Sequence, residues 1–197
     1  PKGRHKRFDE NVLRSLESLS HGSPSDILLE AALAIHAAGA AVIIFDPSTL
    51  EGIYANITAL EDVLDAAGEI DAAWCLGDIV GYGADLNECV ERVQSLPNLL
   101  CVKGNHDHAI SNIESLVEFN ITASEAIMLS RKLISARNIA FLQTLPELVT
   151  TDLATLAHGS PRNPIWEYIL DNYVAAENLT NYSTQLAFVG HSHLPLM

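Results

Sequence analysis

LLCVKGNHD, residues 99 to 107, sets the reading of the whole chain: four apolar residues, then Lys103, and at once Gly104, Asn105, His106 and Asp107. An apolar run of that length, bounded by turn formers, suits a buried strand. The cluster behind it consists of side chains that ligate metals or move protons. The design recurs. Val42 to Phe45 leads into Asp46, Ala72 to Leu76 into Gly77 and Asp78, Leu153 to Ala157 into His158 and Gly159, and Leu186 to Val189 into Gly190, His191, Ser192 and His193. Helical patterns lie between these runs. ITALEDVLDAA ends at Gly68, while Thr58 with Glu61 and Thr122 with Glu125 have capping-box spacing. Strand and helix alternate, which indicates an α/β layered fold. Ligands in open α/β sheets bind beyond the carboxyl ends of strands, so the polar motifs predict one shared site.

Composition narrows the functions available. The 197 residues fit one domain with an appendage, and 48% hydrophobic residues suffice for a real core. The net charge of −14 is the wrong sign for a basic nucleic-acid-binding face. Lys2, Arg4, Lys6 and Arg7 hold four of the eleven basic residues, leaving seven against twenty-five acidic ones, or −18, after Arg7. A phosphate handled by such a chain needs a metal. Cys75, Cys89 and Cys101 lack C-x-x-C spacing, which points to a reducing compartment, and FDENVLRSLESLSHGS lacks the apolar stretch of a secretory leader. A cytoplasmic protein is expected. Ile27 to Phe45 approaches the length of a bilayer crossing, but Ala dominates it and Asp26 and Asp46 bracket it. We read a buried helix followed by a core strand, with no membrane partner.

The donor types define a chemistry. In extended backbone, residues two apart project to one side, so His191 and His193 are expected to face one cavity with Ser192 turned away. His106, Asp107 and His108 have the same spacing in a stretch that reads as loop. Imidazole, carboxylate and carboxamide without thiolate suit Mn, Fe or Zn. A lone histidine behind a strand is usually a hydrogen-bonded loop residue; ligand types at four strand ends together are hard to obtain from turn chemistry. GYG at Gly81 to Gly83 is no dinucleotide loop, no P-loop lysine occurs, and Ser160 lacks the spacing of a nucleophile elbow.

The series GDIVGYG (77 to 83), GNHD (104 to 107), HGSPR (158 to 162) and GHSH (190 to 193) resembles the calcineurin-like metallophosphoesterases, in particular their bacterial and archaeal single-domain branch. The resemblance covers about residues 41 to 197. It implies an α/β fold of two mixed β-sheets packed face to face and flanked by helices, preceded here by a helical extension over residues 1 to 40. It also implies hydrolysis of phosphate mono- or diesters of small molecules by metal-bound hydroxide on two divalent ions, or on one. Carried over by position, Asp78 bridges the metals, Asn105, His158 and His191 hold one ion, and His193 helps to hold the other. His106 sits near the leaving group, and Asp107 orients its ring.

The resemblance breaks at its first motif. The family opens with Asp-x-His, and Gly52 and Tyr54 stand at those positions. A glycine offers no ligand and a neutral phenol is a poor one, so Asp46, just beyond its strand, is the replacement candidate. The departure keeps a second reading open: a relative that binds one metal or a phosphate as an interaction module without turnover. Family members continue for several strands past the last motif, whereas this sequence ends at Met197. An incomplete second sheet is therefore expected, with exposed edges through which copies of the chain pair. Arg162 and Asn163 are candidates for touching phosphate. The segments 81 to 87, 111 to 122 and 162 to 166 are the expected specificity loops.

Overall fold

The structure, a computed structural model, describes residues 53–193 and the strand 42–45. Asp46, Gly52, the extension 1 to 40 and Met197 lie outside the described residues, as does all of the Ile27 to Phe45 stretch except its last four positions. No described helix is long and apolar enough to cross a membrane.

β1 (Val42–Phe45), β2 (Ala72–Cys75) and β3 (Leu100–Cys101) form a parallel sheet in that order, joined by α1 (Ile57–Ala67) and α2 (Leu86–Gln94). After β3 the chain runs through α3 (Asn105–Ser111), a 3-10 turn (Ile113–Glu118), α4 (Ile121–Leu133) and α5 (Ala136–Thr144). A second sheet follows, with β5 (Ala154–Ala157) antiparallel to β4 (Leu148–Thr150) and parallel to β6 (Leu186–Phe188); α6 (Asn172–Asn178) precedes β6.

The two-residue period of β2 assigns its faces. Ala73 and Cys75 point into a core shared with α1, α2, α3, α4 and α5, built on Leu60, Leu64, Val90, Ile110, Ile127 and Leu142. Trp74 and Leu76 point the other way, to Val102 and to Ala154, Leu156 and Phe188 of the second sheet. The Trp74 and Phe188 rings meet edge to face, with centroids 5.7 Å apart. Two sheets packed face to face with helices outside is therefore the observed architecture. The first sheet is parallel throughout its described strands and the second is mixed.

Gly68 does end α1, but the caps of α1 and α4 are Asn56 and Asn120, whose side chains accept the N–H groups of Ala59 and Ala123 at 3.1 and 2.9 Å. Thr58 and Thr122, given above as capping-box residues, lie inside the first turn. Each helix begins earlier because asparagine satisfies the same orphan N–H groups. Residues 105 to 111 form a helix rather than a loop, which turns His108 away from His106 toward Asn112 and Trp166. β4 was not anticipated, since its three residues include a polar, exposed Thr150.

Leu156 is fully buried where the sheets meet. Leu156→Ala is expected to cost about 2–5 kcal/mol in urea unfolding. A loss below about 1 kcal/mol would contradict tight packing between the sheets.

Candidate metal centre

β2, β3, β5 and β6 end at one place. Just past those ends lie Asp78, Asn105, His158 and His191, all buried. Donor atoms of Asp78, His158 and His191 fall within 4.8 Å of one another.

The loops carrying them are braced by backbone and side-chain bonds. Gly104 lies so close to Asp78 that a Cβ there would overlap its carboxylate and backbone nitrogen. The carboxylate of Asp107 accepts the N–H groups of Ile79, Val80 and Gly104 at 3.0, 3.2 and 3.0 Å, tying the second strand end to the third. Its bonds thus hold backbone, and none goes to the ring of His106, which the resemblance had it orient. Burial, reinforced by the nearby Asp78 charge, pushes the Asp107 carboxyl up to about 7 against the pull of those N–H groups.

The tautomer of His158 is fixed by its partner. A carbonyl only accepts, so Nδ1–H donates to Leu76 O at 2.7 Å, as metal-binding histidines commonly do with their second nitrogen. Nε2 then faces Asn105 Oδ1 at 3.1 Å, His191 Nδ1 at 3.0 Å and Asp78 Oδ2 at 3.4 Å. The Asn105 oxygen meets electron-pair donors only, His158 Nε2 and both Asp78 oxygens; with the amide turned over, its NH2 would donate to all three. Lone pairs brought this close need a cation or a proton among them. The donor set of one carboxylate, one carboxamide and two imidazoles fits a divalent metal.

Burial is the largest influence on Asp78 and would raise it, but the imidazoles of His158 and His106, the His106 N–H at 3.0 Å and His191 together hold it below the usual carboxylate range. Burial first, then His158, brings His191 down to about 4, which leaves its ring neutral and able to coordinate. Its Nε2 is buried without a hydrogen-bond partner. The ring stacks on Tyr168 at 3.7 Å.

His193 does not join this set. His191 and His193 sit at φ 67° and 53°, in left-handed rather than extended backbone, so the two-residue argument for a common face does not apply. His191 turns to His158, while His193 Nε2 shares a 2.6 Å hydrogen bond with the hydroxyl of Tyr54. Burial, then the Asp78 carboxylate, pushes the Tyr54 phenol far above its ordinary range and keeps it protonated.

His106 is packed among rings. Tyr54, Tyr82 and Phe119 lie at centroid distances of 5.2, 5.0 and 5.1 Å, and Phe119 meets Trp166 at 5.5 Å. Each expected specificity segment thus supplies one ring, Tyr82, Phe119 or Trp166. Burial lowers His106 despite the opposing pull of Asp78. No local pattern marks Tyr168, whose ring reaches a histidine 23 positions later in the chain.

Behind His158, the HGSPR loop is held by Glu167. It accepts from Ser160 Oγ at 2.6 Å and Asn178 Nδ2 at 2.9 Å and pairs with Arg162, which also reaches Glu177 at 2.8 Å. Ser160 is therefore structural, and Arg162 is an ion-pair partner. Chiefly through Arg162, Glu167 falls from the usual 4.5 to about 2. A depressed carboxylate contributes stability that is present above its unfolded value and lost as pH falls through its folded one. Urea unfolding between pH 5 and 2 should therefore show a shallower loss of stability for Glu167→Gln than for the wild type; parallel curves would contradict this role.

Comparison with known proteins gives the family of the chain. Residues 53–197 match the calcineurin-like phosphoesterase superfamily domain. An uncharacterized protein of Methanocaldococcus jannaschii is 40% identical over 157 residues, 76% of this chain and 63% of that protein. The crystal structure of a metallophosphoesterase from Sphaerobacter thermophilus is similar at TM-score 0.66 and 42% identity, over 78% of this chain and 60% of the other. A hypothetical protein of Pyrococcus horikoshii shares the fold, at TM-score 0.58 and 19% identity over 78% and 69% of the two chains. The chain spans less than two thirds of the length of the first two relatives. On the domain match and the identity to these relatives, it belongs to the calcineurin-like phosphoesterase superfamily.

Proposed function

We propose that the chain is a metal-dependent phosphoesterase acting on phosphate mono- or diesters. The observation that carries this reading is the meeting of Asp78, Asn105, His158 and His191 through unshared electron pairs, with His106 beside them. A bound divalent ion there, Mn, Fe or Zn by donor type, supplies positive charge to the phosphate and lowers the pKa of the attacking water. Among the described residues, the cations next to these motifs are already engaged. Lys103, of the GNHD stretch, gives its ammonium to Gln143 O at 3.2 Å, and Arg162, of HGSPR, is held by Glu167 and Glu177.

The residues of the chain itself take defined tasks. Asp78, Asn105, His158 and His191 hold the cation. Asp107 and Gly104 keep the two loops in register. His106 is held by its backbone N–H on Asp78 and by the rings around it, and its Nδ1 is buried without a partner. Burial keeps the ring neutral, and an arriving phosphate's negative charge favours its protonated form, which hands a proton to the departing oxygen. Tyr82, Phe119 and Trp166 offer apolar surface to that side of a substrate. The three cysteines are free and buried, consistent with a reducing compartment such as the cytoplasm.

A second reading, a module that binds one metal without turnover, is favoured by Tyr54 standing where the family carries a metal-binding histidine. Assays with p-nitrophenyl phosphate and its bis ester, with and without Mn2+, separate the two. Turnover is expected to require added metal and to stop with EDTA. His106→Ala is expected to lower it by about 10²–10⁴-fold, and Asp78→Asn to abolish it. Equal residual rates in all three proteins would reject the enzyme.

A further inference from the structure

We infer that Tyr54 and His193 close the second metal position, so that the centre holds a single divalent ion. The inference rests on the reading of Asp78, Asn105, His158 and His191 as one cation site and adds the number of ions it takes.

A second ion, shared by Asp78 and His193, needs the lone pair of a His193 ring nitrogen. A ring nitrogen has one in-plane site, which holds either a hydrogen bond or a coordinate bond. At Nε2 that site is used: the Tyr54 oxygen lies 2.6 Å away, where a divalent ion would sit at about 2.0–2.1 Å from the nitrogen. Whichever atom carries the proton, the nitrogen that faces Tyr54 is not a free donor, and Nδ1, on the other edge of the ring, points away from the Tyr54 hydroxyl.

Tyr54 is fixed there by its surroundings. Its backbone lies at φ 40°, uncommon for a bulky residue. The turn is pinned on both sides: Tyr54 N–H donates to Asp78 O at 3.1 Å, Ala55 N–H to Ile79 O at 2.9 Å, and Gly83 N–H to Tyr54 O at 2.7 Å. The ring fills the space left by the absent side chain of Gly81, where a Cβ would come within 2.5 Å of Tyr54 Cδ1. It packs against Tyr82, His106 and His193 with centroids at 5.3, 5.2 and 5.5 Å. His193 is also absent from the set of donors that lie within 4.8 Å of one another, which comprises Asp78, His158 and His191. In sequence, the other position of the family's first motif is Gly52, which brings no donor.

The test follows Zn2+ binding to the whole chain by calorimetry together with imidazole nitrogen-15 shifts. The wild type should take up one equivalent, moving the His158 and His191 nitrogens while His193 Nε2 keeps its shift. Tyr54→His, which exchanges the phenol for a ligand, should take up a second equivalent and move His193. Two equivalents in the wild type, or a His193 signal that moves with the first, would overturn the single-ion centre while leaving the metal site standing. No uptake at all would overturn both. Should Tyr54→His fail to fold, the wild-type shifts decide alone.

Discussion

An imidazole that donates its Nδ1–H to a main-chain carbonyl turns its other nitrogen to the opposite side, where it can ligate a cation. His158 does this at the bottom of the site, fully buried, with Leu76 O as acceptor. The rest of the centre is arranged around that nitrogen. Asn105 turns its oxygen to it, His191 brings Nδ1 to 3.0 Å, and Asp78 stands at 3.4 Å. Such an assembly of donors out of contact with water is costly without positive charge among them. The fold accepts that cost because four strand ends and their loops hold the donors in place.

That holding is done by groups outside the donor set. Asp107 ties the loops after β2 and β3 through three N–H groups, and the missing side chain of Gly104 lets the loops touch. On the other side, Glu167 gathers Ser160, Arg162 and Asn178 behind His158. Asp78 and His191 themselves lie in left-handed backbone, at φ 51° and 67°. Residues other than glycine persist in that region when their surroundings over-determine them, and such strain clusters at functional sites.

Five of the six described strands were legible because each apolar run matched a strand's length and each led directly into a polar motif. The convergence of Asp78, Asn105, His158 and His191 was legible for the same reason, since strand ends converge in a layered α/β fold. What escaped was whatever depends on contacts remote in sequence. Tyr168 stacks on His191 with no local pattern to announce it. Asp107, three residues after Gly104, faces backbone rather than the ring next to it, because α3 begins there and the first N–H groups of a helix and its neighbouring loop need an acceptor. The pair of histidines in GHSH was read as extended, and the left-handed turn at both positions sends His193 to Tyr54 instead. Thr58 and Thr122 misled because asparagines two positions earlier cap the helices better.

Asp78, Asn105, His158 and His191 are proposed to hold a divalent cation where they converge. Anomalous diffraction from crystals grown with Mn2+ tests it most directly. A peak is expected, bounded by His158 Nε2, His191 Nδ1, the Asn105 oxygen and the Asp78 carboxylate, with the Asn105 oxygen facing the ion. A crystal with no peak there, and with the Asn105 amide turned to donate to Asp78 and His158, would contradict it.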